Sequence, residues 1–279
     1  MTRRVVLFFS DGVQALDVTG PASVFGGANT AAHADPPYEI VVASPNGGMI
    51  KTISGVSLGS QAISGIPPES VDTLLVAGHD REATIQLGKN RDARAWVRAV
   101  SNHARRWGSV CSGAFLLAGW GLLSGKNAAT HWSVTDELAD RFPDIQVDSD
   151  SLFVVDGKIW TSAGVTAGID MSLSLVEADL GKEIALTIGR HLVVYLRRPG
   201  SQSQFSSSLE KQCAASPKYG ELITWASTHL KETLTIEALA GRMGQSPRTF
   251  QRHFTSDVGR PPAIVIEDLR LEQAKALIA

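Results

Sequence analysis

The stretch Ser109-Val110-Cys111-Ser112-Gly113 sets one thiol among small residues, where an apolar strand-like run gives way to an apolar helix-like run. This is the form of a nucleophile elbow, a sharp strand-to-helix turn that projects its central side chain. A helix N-terminus directly behind the turn would favour the thiolate and lower the pKa of Cys111. The competing reading is a buried structural cysteine. Cys213 has no comparable setting, so Cys111 is expected to be the more readily alkylated thiol. Asp17, within LDVTGPASVF (16–25), follows the first apolar run and its turn, with Pro21 placed to open the next helix. It is a candidate acid/base or binding carboxyl, or else an ordinary turn or cap residue. His131 in ATHW (129–132) is the histidine candidate for proximity to Cys111, and His79 directly follows Gly78. Each could equally be a hydrogen-bonded structural histidine.

Elements must exist to bring these groups together. VVLFF (5–9), YEIVVAS (38–44) and TLLVAG (73–78) read as buried strands bounded by turn residues. PASVFGGAN (21–29), DARAWVRAVSNHA (92–104) and GAFLLAGWGLL (113–123) read as helices between and after them. SLFVVDGKIWTSAG (151–164) reads as a hairpin turning at Asp156-Gly157, followed by helix from about Asp170. KEIALTIGRHLVVYLRR (182–198) reads as a long amphipathic helix. Strand-helix alternation implies a mainly parallel sheet covered by helices on both faces. In such a sheet the strand C-terminal ends share one rim, where Asp17, Gly78, His79, Cys111, Ser112 and His131 would converge as a ligand site.

The texture changes at RPGSQSQFSSS (198–208), which is rich in Ser, Gln, Pro and Gly and reads as a linker. Only helical patterns follow. The organisation expected is therefore an α/β domain over 1–198, a linker over 199–215 and an all-α domain over 216–279. In TIEALAGRMGQSPRTFQRHF (235–254), Leu239 with Met243 and Phe250 with Phe254 repeat a spacing of four, so both pairs can face one core. Gly244 suits the left-handed residue that ends the first helix, Ser246 its successor's N-cap, and Pro247 the first turn. That leaves Arg248, Gln251 and Arg252 outward, with Ser246 and Thr249 beside them, as candidates for contact with DNA. An ordinary helical hairpin with a solvated basic face is the alternative.

The net charge of −2 argues against a chain that coats nucleic acid along its whole length. After residue 200 there are nine Lys/Arg against eight Asp/Glu, so charge alone does not single out the helical tail. Two cysteines form no disulfide framework and lack metal-site spacing. No run approaches roughly 18 apolar residues, and the opening residues do not form a secretory leader. A cytoplasmic protein without membrane contact, metal or other cofactor is expected.

The run from Leu234 to Leu277, with EALAGRMGQSPRTFQRHF and then GRPP before LRLEQAKALI, resembles the first half of the DNA-binding domain of AraC-type regulators, one helix-turn-helix and the start of a connecting helix. In that family two helix-turn-helix units flank such a connecting helix. The sequence given stops at Ala279 within it, so weak operator binding with a shallow salt dependence is expected of this chain. Residues 3–197 resemble the ThiJ/PfpI branch of the class I glutamine amidotransferase-like fold. The matching pieces are LDVTGPASVF, LLVAGH, SVCSGAFLLAGWGLLSGKNAATHW and TSAGVTAGIDMSL. That resemblance implies a flavodoxin-like α/β sandwich with Asp17 beside the elbow cysteine, as in isonitrile hydratase-like members. Ser112 stands where protease-like members carry His. Joined in this order, the two regions resemble the GlxA-like subgroup of AraC-type transcriptional regulators. The resemblance implies a homodimeric DNA-binding regulator that senses a small amino-acid, amine or betaine-like metabolite, with no catalytic residues. Two rival readings stay open: a hydratase or amidase using Cys111 as nucleophile and Asp17 as acid/base, and a thiol redox sensor.

Overall fold

In β1 (Arg3–Phe8) the four residues after the two arginines, Val5 to Phe8, are apolar and buried on both faces of the sheet. Val5 and Leu7 pack in one cluster with Val18, Phe25, Met171 and Ile188. Val6 and Phe8 pack in another with Trp96, Val97 and Leu117. A strand buried on both sides reads as a continuous apolar run instead of an alternation. The computed structural model describes residues 2–32, 35–194 and 217–278. The chain divides into two compact units, Met1–Arg197 and Arg198–Ala279.

The first unit continues with Tyr38–Ser44 (β2), Gly48–Lys51 (β3), Ser57–Ala62 (β4), Thr73–Val76 (β5), Arg106–Val110 (β6), Asn127–Ala128 (β7), Gln146–Val147 (β8), Phe153–Asp156 (β9) and Ile159–Ser162 (β10). Eight of these strands form one sheet in the order β3-β4-β2-β1-β5-β6-β10-β9. The six inner strands run parallel, in the flavodoxin-like manner expected. An antiparallel strand closes each end. The helices are Ala15–Ala31 (α1), Arg81–Gly88 (α2), Arg91–His103 (α3), Gly113–Gly119 (α4), Thr135–Arg141 (α5), Ala167–Leu180 (α6) and Lys182–Leu192 (α7). Helices α1, α6 and α7 cover one face and α3 and α4 the other. Buried Asp179 of α6 is held by Arg105 at 2.7 Å, Arg106 at 2.5 Å and the Tyr38 hydroxyl at 2.8 Å, which ties α6 to the sheet.

Three boundaries differ from expectation. Helix α1 starts at Ala15, so Pro21 lies inside it and not at its opening. There it removes one intrahelical hydrogen bond, the one its missing N–H would give to the Asp17 carbonyl. Helix α4 ends at Gly119 instead of residue 123, because Gly121 takes a left-handed φ of 71° that no continuing helix allows. Helix α7 ends at Leu192, where Val193 adopts a left-handed φ of 57°. The linker assigned to 199–215 lies outside the described residues.

The second unit contains Pro217–Thr228 (α8), Ile236–Arg242 (α9), Pro247–Val258 (α10) and Pro262–Ile278 (α11). Leu239, Phe250 and Phe254 share a buried cluster with Tyr219, Leu222, Ile223 and Val265, and Met243 packs against it. The two four-residue repeats therefore face one core. Gly244 has a φ of 64°, and the Ser246 hydroxyl caps α10 by accepting the Thr249 N–H. Pro247 occupies the first turn.

Candidate functional site

Strand order reverses about β1: its chain successor β2 lies on one side and β5 on the other. The loops leaving β1, β5 and β6 meet at that switch point, which is where open α/β sheets form crevices. The elbow forms as its spacing predicts. Cys111 directly follows β6 and holds a left-handed φ of 56°, a strained conformation for a residue with a side chain. Its N–H donates to the carbonyls of Ser162 and Ala163, each at 3.1 Å, and its carbonyl accepts from the Thr130 hydroxyl at 3.1 Å. These contacts, from β10 and its loop and from the loop after β7, over-determine the turn.

Asp17 lies in the first turn of α1, 1% exposed, and its Oδ2 accepts the Gly78 N–H at 3.0 Å. Gly78 is the junction of the cluster. A Cβ on it would stand 2.6 Å from Asp17 Oδ2, 2.8 Å from Ser112 Oγ and 2.9 Å from Cys111 Cβ. Only a bare backbone lets the β5 loop pass between the carboxyl and the elbow. The Ser112 hydroxyl accepts the His79 N–H at 3.0 Å and donates to the His79 carbonyl at 2.9 Å. His79 Nε2 in turn accepts the Ser10 N–H at 2.8 Å, so that nitrogen carries no proton.

Burial dominates the electrostatics of the cluster. It raises the Asp17 carboxyl to about 7, against the opposing pull of the Gly78 N–H and the Cys111 thiol. Burial, with the charge of Asp17 second, pushes the Cys111 thiol up to about 12. The N–H groups of Val165 and Ser112 work the other way but do not prevail. The expected depression of the cysteine pKa is thus overturned, since desolvation beside a carboxylate outweighs the short helix behind the elbow. His79 is pushed down to about 4 by burial, with the Ala77 carbonyl and Asp80 opposing.

The structure brings Asp17, Gly78, His79, Cys111 and Ser112 into one cluster. His131 sits apart in its bonding: Nδ1 pairs with the Ser133 hydroxyl at 2.8 Å, and its ring packs over Gly164. Its neighbour Thr130 makes the bond to the elbow. Nothing in the sequence distinguishes Thr130 from other hydroxyl residues; its bond depends on the close approach of β10. A cleft of about 290 Å³ opens beside the cluster, between α2, α4 and α5. Of the six expected ligand-binding residues, only His79 and Ser112 line it; Asp17, Gly78, Cys111 and His131 do not. A shallower hollow of about 560 Å³ lies across α2, over Ser10, Asp11, Gly12 and Asn46.

On the helical unit, Ser246, Arg248, Gln251 and Arg252 are exposed and Thr249 is half-buried, all on the first two turns of α10. The Ser246 hydroxyl also donates to the Thr249 hydroxyl at 2.9 Å. Among the described residues, no three His, Cys, Asp or Glu side chains group closely enough to hold a metal ion. Among the same residues, no helix is long and apolar enough to cross a membrane.

A doubly wound α/β unit with an elbow cysteine at its switch point defines the class. The chain belongs to the DJ-1/PfpI family, whose model matches residues 3–178. It is 29% identical over 210 residues to the HTH-type transcriptional regulator GbdR of Pseudomonas aeruginosa, covering 75% of this chain and 56% of the relative. To the regulator CdhR of the same species it is 29% identical over 250 residues, covering 88% and 71%. To GlxA of Rhizobium meliloti, also an HTH-type transcriptional regulator, it is 28% identical over 244 residues, covering 87% and 74%. The chain thus spans about half the length of GbdR. Among solved structures, Drosophila melanogaster DJ-1beta shares the fold with a TM-score of 0.61 at 19% identity, covering 70% of this chain and all of that one. An AraC family transcriptional regulator from Pseudomonas putida shares it with a TM-score of 0.58 at 19% identity, covering 68% and 99%.

Proposed function

We propose that this chain acts as a DNA-binding transcriptional regulator, in which the α/β unit senses a small metabolite and α10 reads DNA. The observation that carries the reading is the outer face of α10. Arg248, Gln251 and Arg252 stand exposed behind a capped first turn, while Phe250 and Phe254 on the same helix are buried. That is how a recognition helix presents side chains to a major groove. The relatives named as transcriptional regulators support the same reading, and amino-acid, amine or betaine-like molecules are the effector classes we propose. Acting as a homodimer would bring two such helices to one DNA site.

In the α/β unit, His79 and Ser112 are the proposed points of contact with the effector. Asp17, Gly78 and Cys111 hold the loops that carry them, and His131 braces Gly164. Sensing without turnover is favoured over a hydratase or amidase because the thiol is buried, held protonated, and off the wall of the adjoining cleft. The deciding experiment is selection of bound fragments from a genomic library by the chain, repeated with Arg248→Ala/Arg252→Ala. Enrichment of defined sequences by the wild type alone is expected. Equal, sequence-blind retention by both would refute the reading.

A further inference from the structure

We propose that the cleft between α2, α4 and α5 takes a small carboxylate with an apolar body, its carboxylate held by Arg81 and Arg141. The inference rests on the sensor reading above and names the chemistry of the sensed molecule. Both guanidinium groups converge on one atom: Arg81 donates to Glu137 Oε1 at 2.8 Å and Arg141 donates to the same oxygen at 3.2 Å. Two cations and one carboxylate leave the cleft wall with a net positive charge. They also leave guanidinium N–H groups free, since each guanidinium carries five donors. The side chains of Arg81 and Arg141 are 77% and 52% exposed, so these donors are open to an incoming anion. Arg141 is held in place by stacking, its guanidinium carbon 5.6 Å from the ring centroids of both Phe115 and Phe142.

Ile85, Leu116 and Val134 line the wall beside the two rings, with Thr84 as a polar member of the α2 side. The volume of about 290 Å³ falls at the small end of ligand sites. At the inner end stand His79 and Ser112, whose mutual hydrogen bonds tie the cleft to the elbow. An anion entering here neutralises the arginine pair and gains bonds of the charge-assisted kind. An amine of the same shape meets like charge. The carboxylate is therefore the recognised group, and the apolar body fills the space over Phe115.

The test uses the full chain with three probes of one shape: 3-phenylpropionate, its primary amide, and 3-phenylpropylamine. Binding is read by calorimetry and by ligand-observed NMR. The acid is expected to bind at least tenfold more tightly than the amide and the amine. Arg81→Gln and Arg141→Gln, both at exposed side chains, are each expected to weaken the acid tenfold or more while leaving the melting temperature within a few degrees. Ile85→Trp, which fills the cleft, is expected to abolish binding. Equal binding of acid and amide, or acid binding unchanged by both arginine variants, overturns the proposal, as does no detectable binding of the acid. If amines or betaines stabilise the chain and the arginine variants leave that unchanged, the sensor reading survives and only the carboxylate cleft falls.

Discussion

Ser112 and His79 hold each other by two backbone contacts through one hydroxyl: the His79 N–H donates to Ser112 Oγ at 3.0 Å, and Oγ donates to the His79 carbonyl at 2.9 Å. The hydroxyl of the elbow thus closes the β5 loop onto β6, and does not cap the helix that begins beside it. Ser112→Ala strands a buried backbone donor and acceptor together. Leaving such a group unsatisfied costs about 1–3 kcal/mol. A fall of about 2–10 °C in the melting temperature of the α/β unit is expected by calorimetry. Ser112→Thr, which keeps the hydroxyl, should recover part of it. No shift in Ser112→Ala would mean that water replaces the hydroxyl without loss.

Gly78→Ala tests the junction more directly. Its Cβ would meet three atoms at 2.6, 2.8 and 2.9 Å, two of them in the Asp17 and Ser112 side chains and one on Cys111. Overpacking of this kind costs about 1–3 kcal/mol. Urea unfolding should show a lower midpoint with an unchanged slope. A midpoint equal to wild type would show that the loop gives way freely.

Asp17 and His79 make opposite contributions to the pH dependence of stability. The native carboxyl titrates at about 7 and the native imidazole at about 4, against roughly 4 and 6.5 in an unfolded chain. Between about pH 4 and 6.5 the native state keeps a proton on Asp17 that the unfolded chain releases. It also lacks a proton on His79 that the unfolded chain takes up. The Asp17 contribution falls as pH rises and the His79 contribution grows, each by about 1.4 kcal/mol per pH unit. Together they nearly cancel. Asp17→Asn should therefore leave stability climbing by roughly 3 kcal/mol from pH 4 to 6.5, and His79→Gln should leave it falling through pH 7. Parallel urea midpoints for all three proteins across that range would refute the assignment.

Cys111 should resist alkylation in the folded chain. A thiol pushed up to about 12 is ionised at pH 8 roughly three orders of magnitude less than an ordinary one at 8.5. Labelling followed by mass spectrometry should run at least a hundredfold slower in the native chain than in urea, and faster in Asp17→Asn, which removes the neighbouring charge. Native labelling as fast as in urea would restore an open, reactive elbow. Cys213 lies outside the described residues.

On the helical unit, Arg252→Ala should weaken DNA binding across sequences. It should reduce the slope of log affinity against log salt by about one, the effect of losing one phosphate contact. Gln251→Ala should instead relax preference at a base pair, with a discrimination loss of about 1–3 kcal/mol. Fluorescence anisotropy over a salt series on selected sequences separates the two. Identical slopes for Arg252→Ala and wild type would remove that residue from the backbone contacts.

Much of this arrangement is legible in the sequence itself. β1, β2 and β5 declared themselves by apolar runs, the Asp156-Gly157 hairpin by its turn, and the α9–α10 junction by Gly244, Ser246 and Pro247. These signals are local. The β3–β4 hairpin carries no clear signal because GMIK and SLGSQA are short and half polar, β3 lying at the edge of the sheet and β4 directly inside it. Pro21 misled because a first-turn preference says nothing about a helix whose buried face is held by α6. The pKa of Cys111 was beyond reach for a different reason. It depends on burial and on Asp17, which arrives from 94 positions away in the chain. The cleft, too, depends on α2 and α5 meeting α4, and no spacing within one segment announces that.

The antiparallel strands β3 and β9 that close the sheet are each four residues long. At about 3.3 Å per residue, neither end presents more than roughly 13 Å of ladder, and at β3 part of that is already taken, since Lys51 donates its N–H to Asp11 Oδ1 at 2.8 Å and accepts the Gly12 N–H at 2.9 Å. A parallel sheet ending in a long buried strand would present a flat template to any extended chain that met it. Here the outermost strands turn back on their neighbours within a few residues, and Lys51 sits at the end of one of them. Short, charged borders of this sort give an incoming strand little to grip. The cost of so apolar an interior is therefore contained at its two borders, and side-by-side growth of sheets into fibres is discouraged by the fold itself.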